Sequence, residues 1–445
     1  MLSLRMPTTI KHYRNAFIDI ETDSIRILMD PWVNTANEGS WAGCSGEKYI
    51  LSSQQNKNID YIYISHLHTD HFDSVFLKKL KHNQNKSFKF LIKKFKDRKL
   101  KTQLIKVGFK EKNIIELASF RKFNIDKNSN FLILPQLSAS NTPNKLVNYD
   151  LDTSCVFINK DVKLFNQVDN PYSVSDFKNI LVKLKNIGIN NDFDLSFVSY
   201  CGASEYPQSF INLDRNKQKK HSINKNLEKF ICKFNSIKSK YIVPAGGSYS
   251  LDSIFSPLNK YTVVPNFKYV NNFFNRSKIT KKNVLINPGK HYFLFHERDS
   301  LLRKNLFIKN FQHSHVKNNN NITYEKFKFK IINLKDTIQK LEKQLPKFKK
   351  ELYDKTNTSI ELNIWNKQPV KIDNIELKKA TYKHRILFGS AKKKVSLKIH
   401  MYYKLFVGII LGKISWNEVQ NHCLYERDPN RHDPDAIFWM NLYKF

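Results

Sequence analysis

Four of the six residues from 66 to 71 are His66, His68, Asp70 and His71, and each carries a lone pair that a metal ion can take. Imidazole nitrogens suit zinc and iron, and a neighbouring carboxylate can hold a second cation or orient a water. Histidines at i and i+2 on an extended loop project the same way and can share one ion. Asp70 and His71 then face the adjacent position. The spacing suits two adjacent metals, or one metal with an oriented water. A solvated polar loop accounts for single histidines but not for this density.

A strand must position these residues. Residues 59–65 alternate apolar and polar side chains, rich in Ile and Tyr, and break into the ligand cluster where the strand should end. The chemistry therefore falls on a loop. Upstream, residues 16–20 and 24–32 read as a hairpin turning at Glu21, Thr22 and Asp23, and the glycine-punctuated, aromatic stretch 39–43 suits a loop at the mouth of a site. Downstream, the pattern predicts a helix over 74–80, a strand over 88–95, a helix over 99–108 closed by Gly108, and a buried strand over 131–135. Residues 149–158 and 162–170 predict a second hairpin that carries Asp152 and Asp169 to one end, within reach of the metals. Acidic residues also mark turns, so this placement has a purely structural alternative. Ser204, Glu205, Tyr206 and Gln208 lie on a polar loop, with Ser204 and Tyr206 the candidates for binding substrate.

The run His66-Leu67-His68-Thr69-Asp70-His71 resembles the His-x-His-x-Asp-His motif of the metallo-β-lactamase superfamily, whose members also place a hydrophobic strand before it. The resemblance implies an α/β four-layer αββα sandwich with the metals at one edge, between the two sheets. It further implies that Asp30 buttresses the metal loop without binding, that Asp169 falls on the bridging carboxylate position, and that Asp152 stands near where a third histidine would be. Residues 150–154, 166–169, 194–207, 241–247 and 287–289, and more weakly 415–429, resemble the branch containing CMP-N-acetylneuraminate hydroxylase. Hydroxylases of that branch carry a Rieske domain with Cys-x-His and Cys-x-x-His pairs; this chain contains neither pair. Residues 243–248 also offer no counterpart of the last superfamily histidine.

These resemblances imply a metal-dependent hydrolase that acts on a small anionic substrate, phosphorylated or a sugar nucleotide, through water activated by one or two divalent ions, Zn or Fe. Asp70 is its candidate catalytic group. The alternative is an iron-dependent sugar-nucleotide hydroxylase that draws electrons from a separate Rieske or ferredoxin reductant. A third reading is a non-catalytic basic binding module.

A chain of 445 residues exceeds one ordinary core and suggests two or three domains. Its 75 basic and 39 acidic residues give a formal charge of +36, which would suit a polyanion partner. The lysines are spread along the whole chain without a compact arginine patch, so nucleic acid is not the expected partner. The five cysteines are scattered without metal-knuckle spacing, which points to reduced thiols in a cytoplasmic setting. Residues 1–14 lack a signal-peptide core, and the most apolar run, 405–411, is too short to span a bilayer, so a soluble protein is expected. The asparagine run 318–321 marks the boundary between a catalytic domain over 1–315 and a C-terminal region over 322–445. That region reads as a helix over 324–352, then a small α+β domain with strands over 358–399, a final helix from Trp416 onward and a terminal loop over 422–432.

Overall fold

The computed structural model describes residues 7–42, 58–83, 87–137 and 151–277, and further on 291–296, 299–304, 359–365, 382–388, 395–410, 414, 419 and 422–427. The proposed boundary at 318–321 and the helix over 324–352 lie outside the described residues.

The expected first hairpin is present as β2 (Phe17–Glu21) and β3 (Arg26–Met29), paired Ile18 to Met29 through Glu21 to Arg26. The strand before the ligand cluster is β4 (Tyr61–Tyr63), parallel to β3, and it is followed by the parallel β5 (Lys89–Lys93) and β6 (Ile114–Leu117). A strand that sequence reading missed, β1 (Thr8–Arg14), pairs with β2 on one side and with β13 (His291–His296) on the other. With β14 (Asp299–Lys304) at its edge, this sheet has eight strands in the order β14-β13-β1-β2-β3-β4-β5-β6.

The second sheet opens with β7 (Phe123–Asn124) and β8 (Asn130–Pro135). The second expected hairpin follows as β9 (Thr153–Ile158) and β10 (Lys163–Asn166). The parallel strands β11 (Asp192–Ser199) and β12 (Lys238–Ala245) complete six strands in the order β12-β11-β10-β9-β8-β7.

Both faces of each sheet are covered, which explains strands buried at nearly every position rather than at alternate ones. Ile18, Ile20 and Met29 of one sheet meet Phe131, Phe157, Leu164 and Val243 of the other in the central core. Outside the first sheet lie α1 (Ser74–Asn83) and α2 (Lys99–Lys106), which bury Phe76, Leu77, Leu80, Leu100 and Leu104. The carboxylate of Asp73 accepts the Phe76 N–H at the start of α1, and Gly108, at φ +104°, ends the α2 segment. Outside the second sheet, α3 (Val174–Asn186) starts in a Ser173/Asp176 capping box and packs beside α4 (Arg215–Ser236) and α5 (Phe267–Arg276). The layers run α, β, β, α, the sandwich that the motif implies.

A third sheet, in the order β16-β15-β17-β18, forms the smaller C-terminal unit from β15 (Ser359–Trp365), β16 (Tyr382–Phe388), β17 (Val395–Tyr402) and β18 (Leu424–Arg427). Here the reading of residues 422–432 as a terminal loop is corrected. Residues 424–427 form a strand, not part of a terminal helix or loop, because Leu424 packs in a cluster with Trp32 and Trp41 while Glu426 pairs across to His400. The apolar run beginning at Leu405 lies in the helix α6 (Tyr403–Ile410). Among the described residues no helix is long and apolar enough to cross a membrane.

Candidate metal centre

The site forms where β3, β4, β10, β11 and β12 end, which is where loops from a parallel sheet converge. Asp30 follows β3 directly in the left-handed conformation, φ +42°, and its N–H donates to Tyr63 O at 2.9 Å. This turn points its carboxylate at the next strand end. Asp30 Oδ1 accepts the Ser65 N–H at 2.8 Å, and Oδ2 accepts the Ser65 hydroxyl at 2.7 Å and His71 Nδ1 at 2.9 Å. Asp30 thus holds the metal loop from behind, and all three side chains are buried.

Proton accounting fixes the imidazoles. The Ser65 hydroxyl has one hydrogen, which goes to Asp30, so at its 2.8 Å contact with His66 Nδ1 the serine must accept. His66 therefore keeps its hydrogen on Nδ1 and presents a bare Nε2, the form a metal takes. Burial, then the neighbouring His71 and His68, push the His66 pKa well below its usual value. His66 Nε2 lies 2.8 Å from His68 Nδ1 and 3.7 Å from Asp152 Oδ1. On the other side, His71 Nε2 lies 3.2 Å from Asp169 Oδ2 and 3.4 Å from Asp70 Oδ2. The result is two groups of three, His66-His68-Asp152 and His66-His71-Asp169, each with ligand atoms within 4.8 Å of one another. His66 belongs to both.

The residues present fit a cation. Asp152 Oδ1 and Asp169 Oδ1 are buried carboxylate oxygens with no hydrogen-bond partner, an unfavourable arrangement unless a positive charge stands before them. Burial raises the Asp152 carboxyl above its usual range, against the pull of His68. Asp169 is aimed by strain: the preceding Val168 is β-branched yet left-handed, φ +56°, at a cost of about 1–3 kcal/mol. The Asn166 side chain steadies it by accepting the Val168 N–H at 3.1 Å.

At the end of β12 the chain brings Gly246 and Gly247 close to the site. A Cβ on Gly246, at φ +84°, would stand 3.0 Å from both Asp169 Oδ1 and Val168 O, and one on Gly247 would meet Cys201 O at 2.4 Å. We expect Gly246→Ala to displace the Asp169 carboxylate and weaken zinc binding about 10-fold or more in competition with a chromophoric chelator. Unchanged affinity would show that Asp169 is not held by this approach.

Asp70 stands beside the two groups and belongs to neither. Its burial favours the neutral acid, but His71 and then His68 outweigh that and keep its carboxyl below the usual range. Burial would likewise lower His71, yet Asp70, Asp169 and Asp30 raise its pKa well above 6.5. Without metal, His71 therefore stays protonated at neutral pH. Its ion pairs support the metal-free fold fully below pH 6.5, and that support fades as pH rises through the raised value. An ion taking His71 Nε2 must displace the proton. Metal affinity should fall about tenfold for each pH unit below the raised value, with one proton released per ion. Calorimetric titration in buffers of different ionisation enthalpy reads this release directly. Equal heats in all buffers would contradict it.

A cavity of about 320 Å³ opens onto the groups, lined by Asn37, Trp41, His68, Asp70, Asp152, Asp169, Ser199, Cys201, Ser204 and Gly247 among others. Of the two loop residues proposed to bind substrate, Ser204 lines this cavity. Tyr206 directs its hydroxyl to Gln218 Oε1 at 2.6 Å and stacks its ring under Arg427, so it braces the loop. Sequence reading missed Ser65 and Asn15, whose side-chain amide approaches Asp70 Oδ2 at 3.5 Å. Neither residue type signals a site by itself. The Gly-Gly pair after β12 was the one visible hint of a close backbone approach.

No family model matches the chain. Over 90 residues, 20% of its length, it is 37% identical to a protein of Mycobacterium tuberculosis named as a Rieske 2Fe-2S iron–sulfur protein, and a Mycolicibacterium smegmatis protein of the same name matches equally. The match spans about 17% of the length of these relatives. Among solved structures, the chain is similar to CmlA, a diiron β-hydroxylase of Streptomyces venezuelae (13% identity, TM-score 0.44, 67% of this chain and 54% of that one). It is also similar to Igni18, a metallo hydrolase of Ignicoccus hospitalis (12% identity, TM-score 0.41, 67% of this chain and 98% of that one).

Proposed function

We propose that the chain is a metal-dependent hydrolase of a phosphorylated or sugar-nucleotide substrate. One observation carries this reading: two three-residue ligand groups share His66 on the wall of a cavity and leave two buried carboxylate oxygens unpartnered. In this reading the single lone pair of His66 Nε2 takes one ion, completed by His68 and Asp152 or by His71 and Asp169, and a second ion would rest on the pair left over. A divalent ion there supplies Lewis acidity and a water acidic enough to ionise near neutral pH. The protein's own part is then specific. Asp70, on the cavity wall beside His71, accepts the proton of the attacking water. Asn15 steadies that carboxylate, and Ser65 and Asp30 keep the imidazoles turned toward the ion. Ser204, which also lines the cavity, is the residue of its loop that would meet the substrate.

A second reading keeps the same residues and loads iron. Two histidines and one carboxylate are the usual set for a non-haem ferrous ion with open positions, and each of the two groups has that composition. The 90-residue similarity to Rieske-named proteins favours this reading, in which a separate Rieske or ferredoxin protein delivers electrons and the substrate is a sugar nucleotide. We also place the catalytic unit at 1–315 and the accessory unit at 322–445, in a cytoplasmic setting that suits the free thiols of Cys155, Cys201, Cys232 and Cys423.

Elemental analysis of chain purified without chelator, paired with turnover of an activated phosphodiester, separates the readings. Stoichiometric zinc with turnover and no reductant is the expected result. Iron, with turnover of a sugar nucleotide only when a reductant is added, assigns the second. Neither metal above trace level overturns both.

A further inference from the structure

A short segment of the C-terminal unit, residues 422–427, touches two walls of the cavity. The first wall is the turn at residues 37–39, where Asn37, Glu38 and Gly39 are all left-handed at φ +48°, +53° and +87°. Only the glycine takes that conformation without strain, so two of the three positions need holding. Asn37 is held on two sides. Its N–H donates to Thr69 Oγ1 at 2.7 Å, and the same hydroxyl donates back to Asn37 Oδ1 at 3.2 Å. Its carbonyl accepts His422 Nε2 at 2.6 Å. His422 is 1% exposed and meets Phe255 edge to face at 5.5 Å, so its ring has one seat. Thr69 lies between His68 and Asp70.

The second wall is the loop that carries Ser204. Tyr425 N donates to Ser209 O and Ile211 N to Tyr425 O, both at 2.9 Å, and the Phe210 and Tyr425 rings stack at 5.0 Å. Asn212 Nδ2 then reaches Arg427 O at 2.7 Å. Strand β18 is therefore shared between the C-terminal sheet and this loop.

We propose that residues 422–427 position both walls of the cavity, and that His422, acting through Asn37 and Thr69, sets the geometry of the metal loop. His422 is a positioning residue in this scheme. The scheme rests on the metal-site reading above. It assigns the C-terminal unit a task in the site itself, so a chain lacking that unit would present a loosened metal loop.

The test uses the full chain with zinc and cobalt(II) as probes, comparing His422→Ala, His422→Gln, Thr69→Val and the Ala/Val double variant. Chelator competition gives affinity, the cobalt visible spectrum reports coordination, and circular dichroism checks folding. His422→Ala should lower zinc affinity by up to about 10-fold, the low end of what losing a group bonded directly to a metal ligand costs, and shift the cobalt bands. Glutamine, which keeps an N–H donor, should restore most of both. Thr69→Val should match His422→Ala, and the double variant should lose little beyond either single one, because both cut the same line. If His422→Ala does not fold, the spectrum and affinity of Thr69→Val and His422→Gln decide. Parental affinity and spectrum in these folded variants, or strictly additive losses, would overturn the proposal while leaving the metal site standing. A parental chain that takes up neither ion would sink the metal reading, and this one with it.

Discussion

Replacing His66 by alanine should abolish metal binding altogether, whereas replacing His68 should leave one ion bound. The difference follows from membership: His66 is common to His66-His68-Asp152 and His66-His71-Asp169, and His68 serves only the first. Removing His66 leaves each group with one imidazole and one carboxylate, too few to hold zinc or iron against solvent and chelator. Removing His68 leaves the second group whole, with Asp30 still bonded to His71 Nδ1. Zinc per chain, measured after dialysis against a weak chelator, should fall to near zero for His66→Ala. For His68→Ala it should fall to no less than half the parental value. The double variant should match His66→Ala alone. Equal stoichiometry in the two single variants would show that the groups do not share a ligand, and retained full stoichiometry in His66→Ala would remove it from the ligand set. His66 is buried, so thermal melts must accompany the titrations.

Much of this arrangement was legible in the sequence, and the part that was not has definite causes. The two hairpins and the strand before the ligand cluster follow from alternation of Ile, Leu and Tyr, and the structure forms them as shorter strands whose ends lead into the site. Strand β1 was missed because Lys11, His12 and Arg14 look like a solvated segment. It is a central strand whose polar side chains find partners inside: His12 Nε2 reaches Asn15 O at 2.8 Å, and the Arg14 guanidinium sits 4.4 Å over Trp32. Strand β18 was missed for a related reason. Its four residues pair with a strand over twenty positions away and with a loop more than two hundred positions away, and no local pattern records such contacts. At the site, residues of ligand type stood out, while those that orient them did not. Ser65 is an ordinary serine until the fold brings Asp30, His66 and His71 around its one hydroxyl. The basic charge of +36 likewise gave no hint that the cavity it surrounds would be walled by Asp70, Asp152 and Asp169.

Asp70 is where binding and chemistry separate, and Asp70→Asn should divide them. The carboxylate lies on the cavity wall, outside both ligand groups, 3.4 Å from His71 Nε2 and 3.5 Å from the Asn15 amide. Asparagine keeps its size and its capacity to accept from Asn15 but cannot take a proton. Metal content should therefore stay at the parental level. Turnover per bound metal should drop about 10²–10⁴-fold, the usual contribution of a positioned general base. The loss should appear in kcat with KM little changed, since the substrate is gripped elsewhere. Its pH dependence gives a second reading of the same role. An ion bound at His71 Nε2 would put more positive charge beside Asp70 than the departing proton carried, so the Asp70 carboxyl should stay below its usual range, and the acid limb of the rate profile should lie correspondingly low. In Asp70→Asn that limb should vanish while the pH dependence of metal uptake, which belongs to His71, persists. Loss of metal in Asp70→Asn would instead make Asp70 a ligand. An unchanged kcat would take the proton-accepting role from it and pass it to Asp152 or Asp169, the other two carboxylates on the same wall.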